Sequence, residues 1–220
     1  EEYNDAFLHS FGFNGYIDNI EGLIININDK KINMTKFNNG VKDKKLKKNK
    51  KNKCVLKDSY YPSLIDKQPI SNSIDLTSNT IITGPNASGK TTTLKSSLVN
   101  VILSQQMGCG FFSHAEMTPF HNIHCYLNIP DTSGRDSLFQ AEARRCKDII
   151  DSIQVNKNET HFCVFDELYS GTNPDEAVES AESFMKYISK YTGVHCILTT
   201  HFIELCKNLE NEPNFVNLHM

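Results

Sequence analysis

The sequence predicts an α/β fold, a mostly parallel sheet flanked by helices. Three observations carry that prediction. "NTIITG" (79–84), "HFCVFDEL" (161–168) and "VHCILTTH" (194–201) open with short apolar runs of strand length, as expected of strands buried on both faces. Stretches with helical spacing alternate with them, which favours parallel neighbours. The junction between the first of these strands and its helix is glycine-rich, "GPNASGKT", Gly84 to Thr91.

Taken in order, residues 3–27 mix aromatic and aliphatic residues at helical spacing and end in "GLIININ". "KINMTKF" (31–37) alternates as a strand. The lysine run follows as a loop, and "CVLKDSYYPSLID" (54–66) reads as a short strand and a Pro-bounded turn. After strand 79–84, a helix over Lys90–Met107 gathers Leu94, Leu98, Val101 and Ile102 on one face. "HNIHCYLNI" (121–129) is strand-like. Asp136–Ile153 is helical, with Leu138, Phe139, Cys146, Ile149, Ile150 and Ile153 on its apolar side. Pro174–Lys190 is helical with Pro in its first turn. A short helix and a last strand, "NFVNLHM", close the chain. No internal repeat is present.

A chain of 220 residues is one domain, or one with an appendage, and 39% hydrophobic residues suffice for a core. No apolar run reaches bilayer-spanning length and no signal pattern opens the chain. The first residue is not Met, so the chain is read as a fragment of a longer protein. Seven scattered cysteines, without a CxxC pair, indicate reduced thiols and an intracellular location rather than a metal site. "KDKKLKKNKKNK" (42–53) holds eight Lys and one Asp, so the other 208 residues carry −10 of a net −3. Such a run can touch nucleic acid phosphates. On a globally acidic chain it is read instead as a disordered insertion that cannot bury itself.

Three groups of residues carry chemistry. In Gly84-Pro85-Asn86-Ala87-Ser88-Gly89-Lys90-Thr91-Thr92, glycines let backbone N–H groups wrap phosphates, and the helix start adds its positive dipole end. The spacing G-x-x-x-x-G-K-[ST] between strand and helix is that of a P-loop NTPase. Lys90 is expected on the β and γ phosphates of ATP and Thr91 on Mg²⁺, with Asn86 near the γ-phosphate or water. "CVFDEL" delivers Asp166 to the sheet end as the second Mg²⁺ ligand, and Glu167 is the expected base for the attacking water. His201 ends another buried strand, where ligands bind in open α/β sheets, and is expected to sense the γ-phosphate. Its alternative is a satisfied structural histidine. Tyr60 and Tyr61 are candidates to stack on adenine, with simple packing as the alternative.

Together these residues resemble the ATPase domain of the MutS family of DNA mismatch-recognition proteins, a branch of the ABC ATPases. The resemblance runs from 61 to 220, leaving 1–60 as the end of a preceding helical region plus the lysine-rich loop 42–53. "TGPNASGKTT" is similar to the family's first nucleotide motif. "QQMGCGFFSHA" (105–115) is similar to Gln-x-Gly-x-Phe-Val-Pro-Ala, with His114 in place of proline. "FDELYSGTNPDEA" and "TTHFIEL" resemble its Asp-Glu-x-x-x-Gly-Thr and Ala-Thr-His-Tyr-x-Glu-Leu stretches. "SLFQAE", Ser137 to Glu142, matches a Ser-x-Phe-x-x-Glu element. The family usually has Gly-Arg directly before that element, whereas Asp136 separates Gly134-Arg135 from Ser137 here.

The resemblance implies an ABC ATPase-like fold, truncated at the C-terminus, that binds and hydrolyses ATP with Mg²⁺. It implies a second MutS-like subunit, a copy or a paralogue, whose ATP Ser137 contacts in trans. Dimer closure by ATP would be coupled to mismatched DNA bound mainly outside this chain, with no membrane involved. Asp136 or Ser137 as a helix cap is the structural alternative, and both roles can hold together. The competing readings are an ABC-type ATPase of another DNA-maintenance process such as recombination-junction processing, a standalone ATPase, and a non-hydrolysing ATP-binding module. The intact Asp166-Glu167 pair argues against the last. A transporter motor would need a Leu-Ser-Gly-Gly-Gln signature, which is absent.

Overall fold

The computed structural model describes residues 3–38, 53–127, 129 and 137–220. Most of the lysine run, and Gly134, Arg135 and Asp136, lie outside the described residues. In chain order the elements are α1 (Asn4–Asn28), β1 (Asn33–Phe37), β2 (Cys54–Ser59), a 3-10 turn (Pro62–Lys67), β3 (Asn72–Asp75), β4 (Asn79–Thr83), α2 (Lys90–Met107), β5 (Cys109–Gly110), β6 (His114–Met117), β7 (Asn122–Tyr126), α3 (Leu138–Val155), β8 (His161–Asp166), α4 (Pro174–Ile188), β9 (Val194–Thr200), α5 (Ile203–Glu210) and β10 (Phe215–His219).

The central sheet has the order β10-β4-β9-β8-β7 and is parallel throughout. Its strands read as continuous apolar runs because both faces are covered. Successive side chains alternate between faces. Phe162 and Val164 of β8 and Ile197 of β9 enter one core with α2. Cys163, Phe165, Cys196 and Leu198 enter the other, against α3, α4 and α5.

A second sheet, β3-β2-β6-β1-β5, lies on the far side of α2. Its pairings are antiparallel except for β1 with β6. Leu94, Leu98 and Val101 of α2 share one cluster with Cys54, Leu56, Ala115 and Met117 of this sheet and with Ile82 of β4. The core built around α2 therefore includes residues N-terminal to 61. Because α2 is sandwiched, it also buries Ser96, Ser97, Asn100 and Ser104. Each finds a partner: Ser97 Oγ donates to the Thr93 carbonyl, Asn100 Nδ2 donates to the Ser96 carbonyl and lies within reach of Ser96 Oγ, Asn100 Oδ1 accepts from Phe111 N–H, and Ser104 Oγ accepts from Thr35 Oγ1.

The sequence pattern does not announce β3, β5 and β6. β5 has two residues and β6 four, and both exist through pairing with distant partners, Asn33↔Gly110 and Leu56↔Ala115 among them. α1 forms as its spacing predicts but buries none of its residues, and Phe7, Phe11, Phe13 and Tyr16 are exposed. Tyr60 does not face the glycine-rich loop. Its hydroxyl donates to the Lys31 carbonyl at 2.7 Å and its ring packs edge-on against Phe111.

Candidate functional site

The parallel register brings three strand ends to one edge. Thr83 pairs with Thr200, and Asp166 pairs with Thr199. The residues that follow these strands, Gly84, Glu167 and His201, therefore emerge together at the edge where open α/β sheets bind ligands.

Gly84 to Gly89 turn sharply between β4 and α2. A side chain at Gly84 would meet the Met220 carbonyl oxygen at 2.7 Å, so only glycine fits there. Ala87 and Gly89 take left-handed backbone conformations, with φ of 63° and 101°. Lys90, 5% exposed, folds beneath the turn and donates through Nζ to the carbonyls of Gly84 (2.9 Å) and Pro85 (3.1 Å). The Ser88 hydroxyl is buried without a hydrogen-bond partner among the described residues. A buried ammonium, an unpartnered hydroxyl and a helix N-terminus make a cradle that fits a phosphate-like anion.

Thr91 Oγ1 donates to Asp166 Oδ1 at 3.0 Å, joining groups 75 residues apart. Thr199, fully buried, donates to the same carboxylate oxygen. A carboxylate beside a hydroxyl is the hard-oxygen donor set that Mg²⁺ accepts while it keeps waters and phosphate oxygens. Among the described residues no group of three or more His, Cys, Asp or Glu converges as a cage for another metal.

Glu167 follows Asp166 in the left-handed region, φ 53°. That conformation costs a bulky residue energy and is common where geometry serves function. Its N–H donates to the Thr199 carbonyl at 3.0 Å. His201 Nδ1 lies 3.7 Å from Glu167 Oε1. Two clefts meet here. One of about 300 Å³ is lined by Asn86, Ala87, Gly89, Lys90, Thr91, Thr92 and Glu167. The other, of about 720 Å³, adds His201, Ile203, Cys206 and His219 to Gly84, Pro85, Asn86 and Glu167. A cavity of about 600 Å³ at the opposite edge is lined by Lys157, Glu159, Tyr191 and neighbours and holds none of these groups.

Ser137 lines neither cleft. It caps α3: its Oγ accepts from Gln140 N–H at 3.3 Å while its own N–H donates to Gln140 Oε1 at 3.0 Å.

Two residues of the site are not marked as such by the sequence pattern. Thr199 sits in the quoted "TTH", but its contact with Asp166 follows from strand register and not from any spacing in the chain. Glu142 belongs to the matched "SLFQAE" element, yet its partners, Ser170 and Gly171, lie 28 and 29 residues away.

Residues 80–220 match the family model for MutS domain V. The chain is 27% identical over 166 residues to Endonuclease MutS2 of Staphylococcus epidermidis, covering 74% of this chain and 21% of that protein. It is 29% identical over 167 residues to Endonuclease MutS2 of Staphylococcus haemolyticus, again 74% and 21%. It is 32% identical over 157 residues to DNA mismatch repair protein msh-2 of Neurospora crassa, covering 69% and 16%. The chain thus spans about a fifth of the length of the curated relatives it matches. The family model covers more than half of the chain: this chain belongs to the MutS family, of which it carries domain V.

Proposed function

We propose that this chain is the ATP-binding and ATP-hydrolysing domain of a MutS-like DNA repair protein, with a P-loop NTPase fold of the ABC ATPase type. The observation that carries the reading is the Thr91–Asp166 hydrogen bond, which joins the end of the glycine-rich loop to the end of β8 beside Glu167. Gly84 to Thr92 would hold the nucleotide phosphates, with Lys90 as the counter-charge. Thr91 and Asp166 would hold Mg²⁺, which when bound neutralises phosphate charge. Glu167 would accept a proton from the attacking water, and His201, within reach of Glu167, would face the γ-phosphate. Asn86 lines both clefts and would help to orient the water or the γ-phosphate.

Ser137 caps a helix whose start is turned to neither cleft of its own chain. That placement supports a role at the ATP of a second MutS-like subunit, so that ATP closes a dimer and hydrolysis reopens it. DNA would be bound mainly by parts of the protein outside this chain. No helix among the described residues is long and apolar enough to cross a membrane.

The test is binding of the full-length protein to mismatched and matched duplexes at one stated salt concentration, with and without ATP. Tighter mismatch binding that ATP loosens supports repair coupled to hydrolysis. A second reading is an ATPase acting on other DNA structures such as recombination junctions; the staphylococcal relatives are called Endonuclease MutS2 and carry no mismatch-repair name. Equal binding to both duplexes would move the function there.

A further inference from the structure

Glu142 is an acid with 2% exposure in the second turn of α3. A buried carboxylate needs several donors, and these come from the loop that follows β8. Oε1 accepts from Ser170 N–H at 3.1 Å and from Ser170 Oγ at 3.2 Å, and Oε2 accepts from Gly171 N–H at 3.2 Å. The Tyr126 hydroxyl also lies against it while accepting from Tyr169 N–H at 3.2 Å. Burial, aided by the Glu142 charge, holds that hydroxyl well above the ordinary phenol range, so it stays protonated.

The same loop starts with Glu167 and contains two non-glycine residues in the left-handed region, Glu167 and Tyr169. Such a backbone persists only where its surroundings over-determine it. Here nearly every N–H is held: Glu167 by Thr199, Tyr169 by Tyr126, Ser170 and Gly171 by Glu142. The helix grips the loop by packing as well. A Cβ at Gly171 would meet Leu138 Cγ at 2.7 Å, and Phe139 packs on Tyr169 with ring centroids 5.6 Å apart. The helix that carries Ser137 at its cap and the loop that carries Glu167 are therefore one mechanical unit.

We propose that Glu142 is a positioning residue which ties the Glu167 loop to the start of α3, so that the nucleotide met by Ser137 in the partner's site sets the alignment of Glu167 in this subunit's own site. The proposal rests on the ATPase reading above. It makes the two composite sites of a dimer sense each other through one buried carboxylate.

The test uses Glu142→Gln in the full-length protein. Gln keeps the shape but turns an amide N–H₂ toward a backbone donor. Hydrogen exchange without nucleotide should quicken at Ser170 and Gly171, by about tenfold for one lost hydrogen bond, and stay unchanged in β8 and β9. Turnover should fall about tenfold with the affinity for ATP unchanged. Adding Ser137→Ala should cost less than the product of the two single losses, because both act along one path.

Unchanged exchange and turnover in Glu142→Gln, or a fully multiplicative double variant, would overturn the proposal. So would equal losses in ATP affinity and turnover, which would mark a merely structural role. If Glu142→Gln does not fold, Ser170→Ala decides, since Ser170 is exposed and the substitution removes its hydroxyl donor while keeping its N–H: lower turnover at unchanged ATP affinity supports the tie, and wild-type turnover overturns it. If the wild-type protein hydrolyses no ATP, the ATPase reading fails. If it does while Glu142→Gln matches it, only the tie fails.

Discussion

Glu167→Gln separates the chemistry proposed for this residue from its place in the fold. The Glu167 side chain is 37% exposed, and the ionisable partner of its carboxylate is His201, itself 47% exposed and 3.7 Å away. Even counted as an ion pair, a contact that open to solvent contributes at most about 1 kcal/mol. For a domain of this size, 1 kcal/mol moves Tm by about 2–4 °C, so the variant should melt within about 4 °C of wild type. Gln tolerates φ of 53° no better than Glu, so no backbone strain is relieved. The phosphate cradle, from Lys90 to Ser88, is untouched, and ATP affinity should hold. Turnover is another matter. Gln cannot take a proton, and loss of a general base costs about 10²–10⁴-fold, or about 2.7–5.5 kcal/mol in the barrier. The assay is phosphate release at saturating ATP and Mg²⁺, with equilibrium ATP binding and a melting curve on the same preparation. Turnover within about threefold of wild type, far below the range for a lost base, would refute the role given to Glu167.

Three further outcomes are expected. Thr199→Val is nearly isosteric but removes a buried hydroxyl that donates to Asp166. It should cost about 1.5–3 kcal/mol of stability and raise the Mg²⁺ concentration for half-maximal hydrolysis, and no change in either would remove Thr199 from the site. Mixing Ser137→Ala with Lys90→Ala subunits should restore up to about a quarter of wild-type turnover, because half the dimers are mixed and each keeps one intact composite site; no rescue at any ratio counts against shared sites. His124 lies with Nε2 3.0 Å from Nδ1 of buried His161, and burial first, then His161 and Arg145, holds its pKa down to about 4. The unfolded chain therefore takes up this proton first, and stability that is full above pH 6.5 is lost as pH falls toward 4, by about 1–3 kcal/mol after allowance for solvent screening. His124→Gln should flatten denaturant midpoints across that window, and an unaltered slope would show that another group carries it.

Much of the candidate site is legible in the sequence because its chemistry is local in the chain. The turn from Gly84 to Thr91 needs glycine at close approaches and a lysine at the helix start, and those requirements are written in consecutive residues. The parallel sheet was legible from apolar runs, since strands covered on both faces cannot alternate with polar residues. Asp166 and Glu167 could be recognised as a strand end, although their left-handed junction could not.

What tertiary structure alone decided is everything that depends on register between distant segments. Thr199 reaches Asp166 only because β8 and β9 pair in one frame, and a shift by one residue would turn that hydroxyl to the other face. The second sheet forms because two- and four-residue strands gain their hydrogen bonds from partners far along the chain. Tyr60, a candidate for stacking on adenine from its sequence neighbourhood, is instead held by Lys31 and Phe111 at the end of α1. In the sequence Glu142 is only the last residue of the Ser-x-Phe-x-x-Glu element. Its burial, and with it the tie to the Glu167 loop, exists only once α3 has packed on the sheet, because a buried carboxylate must find its donors in three dimensions.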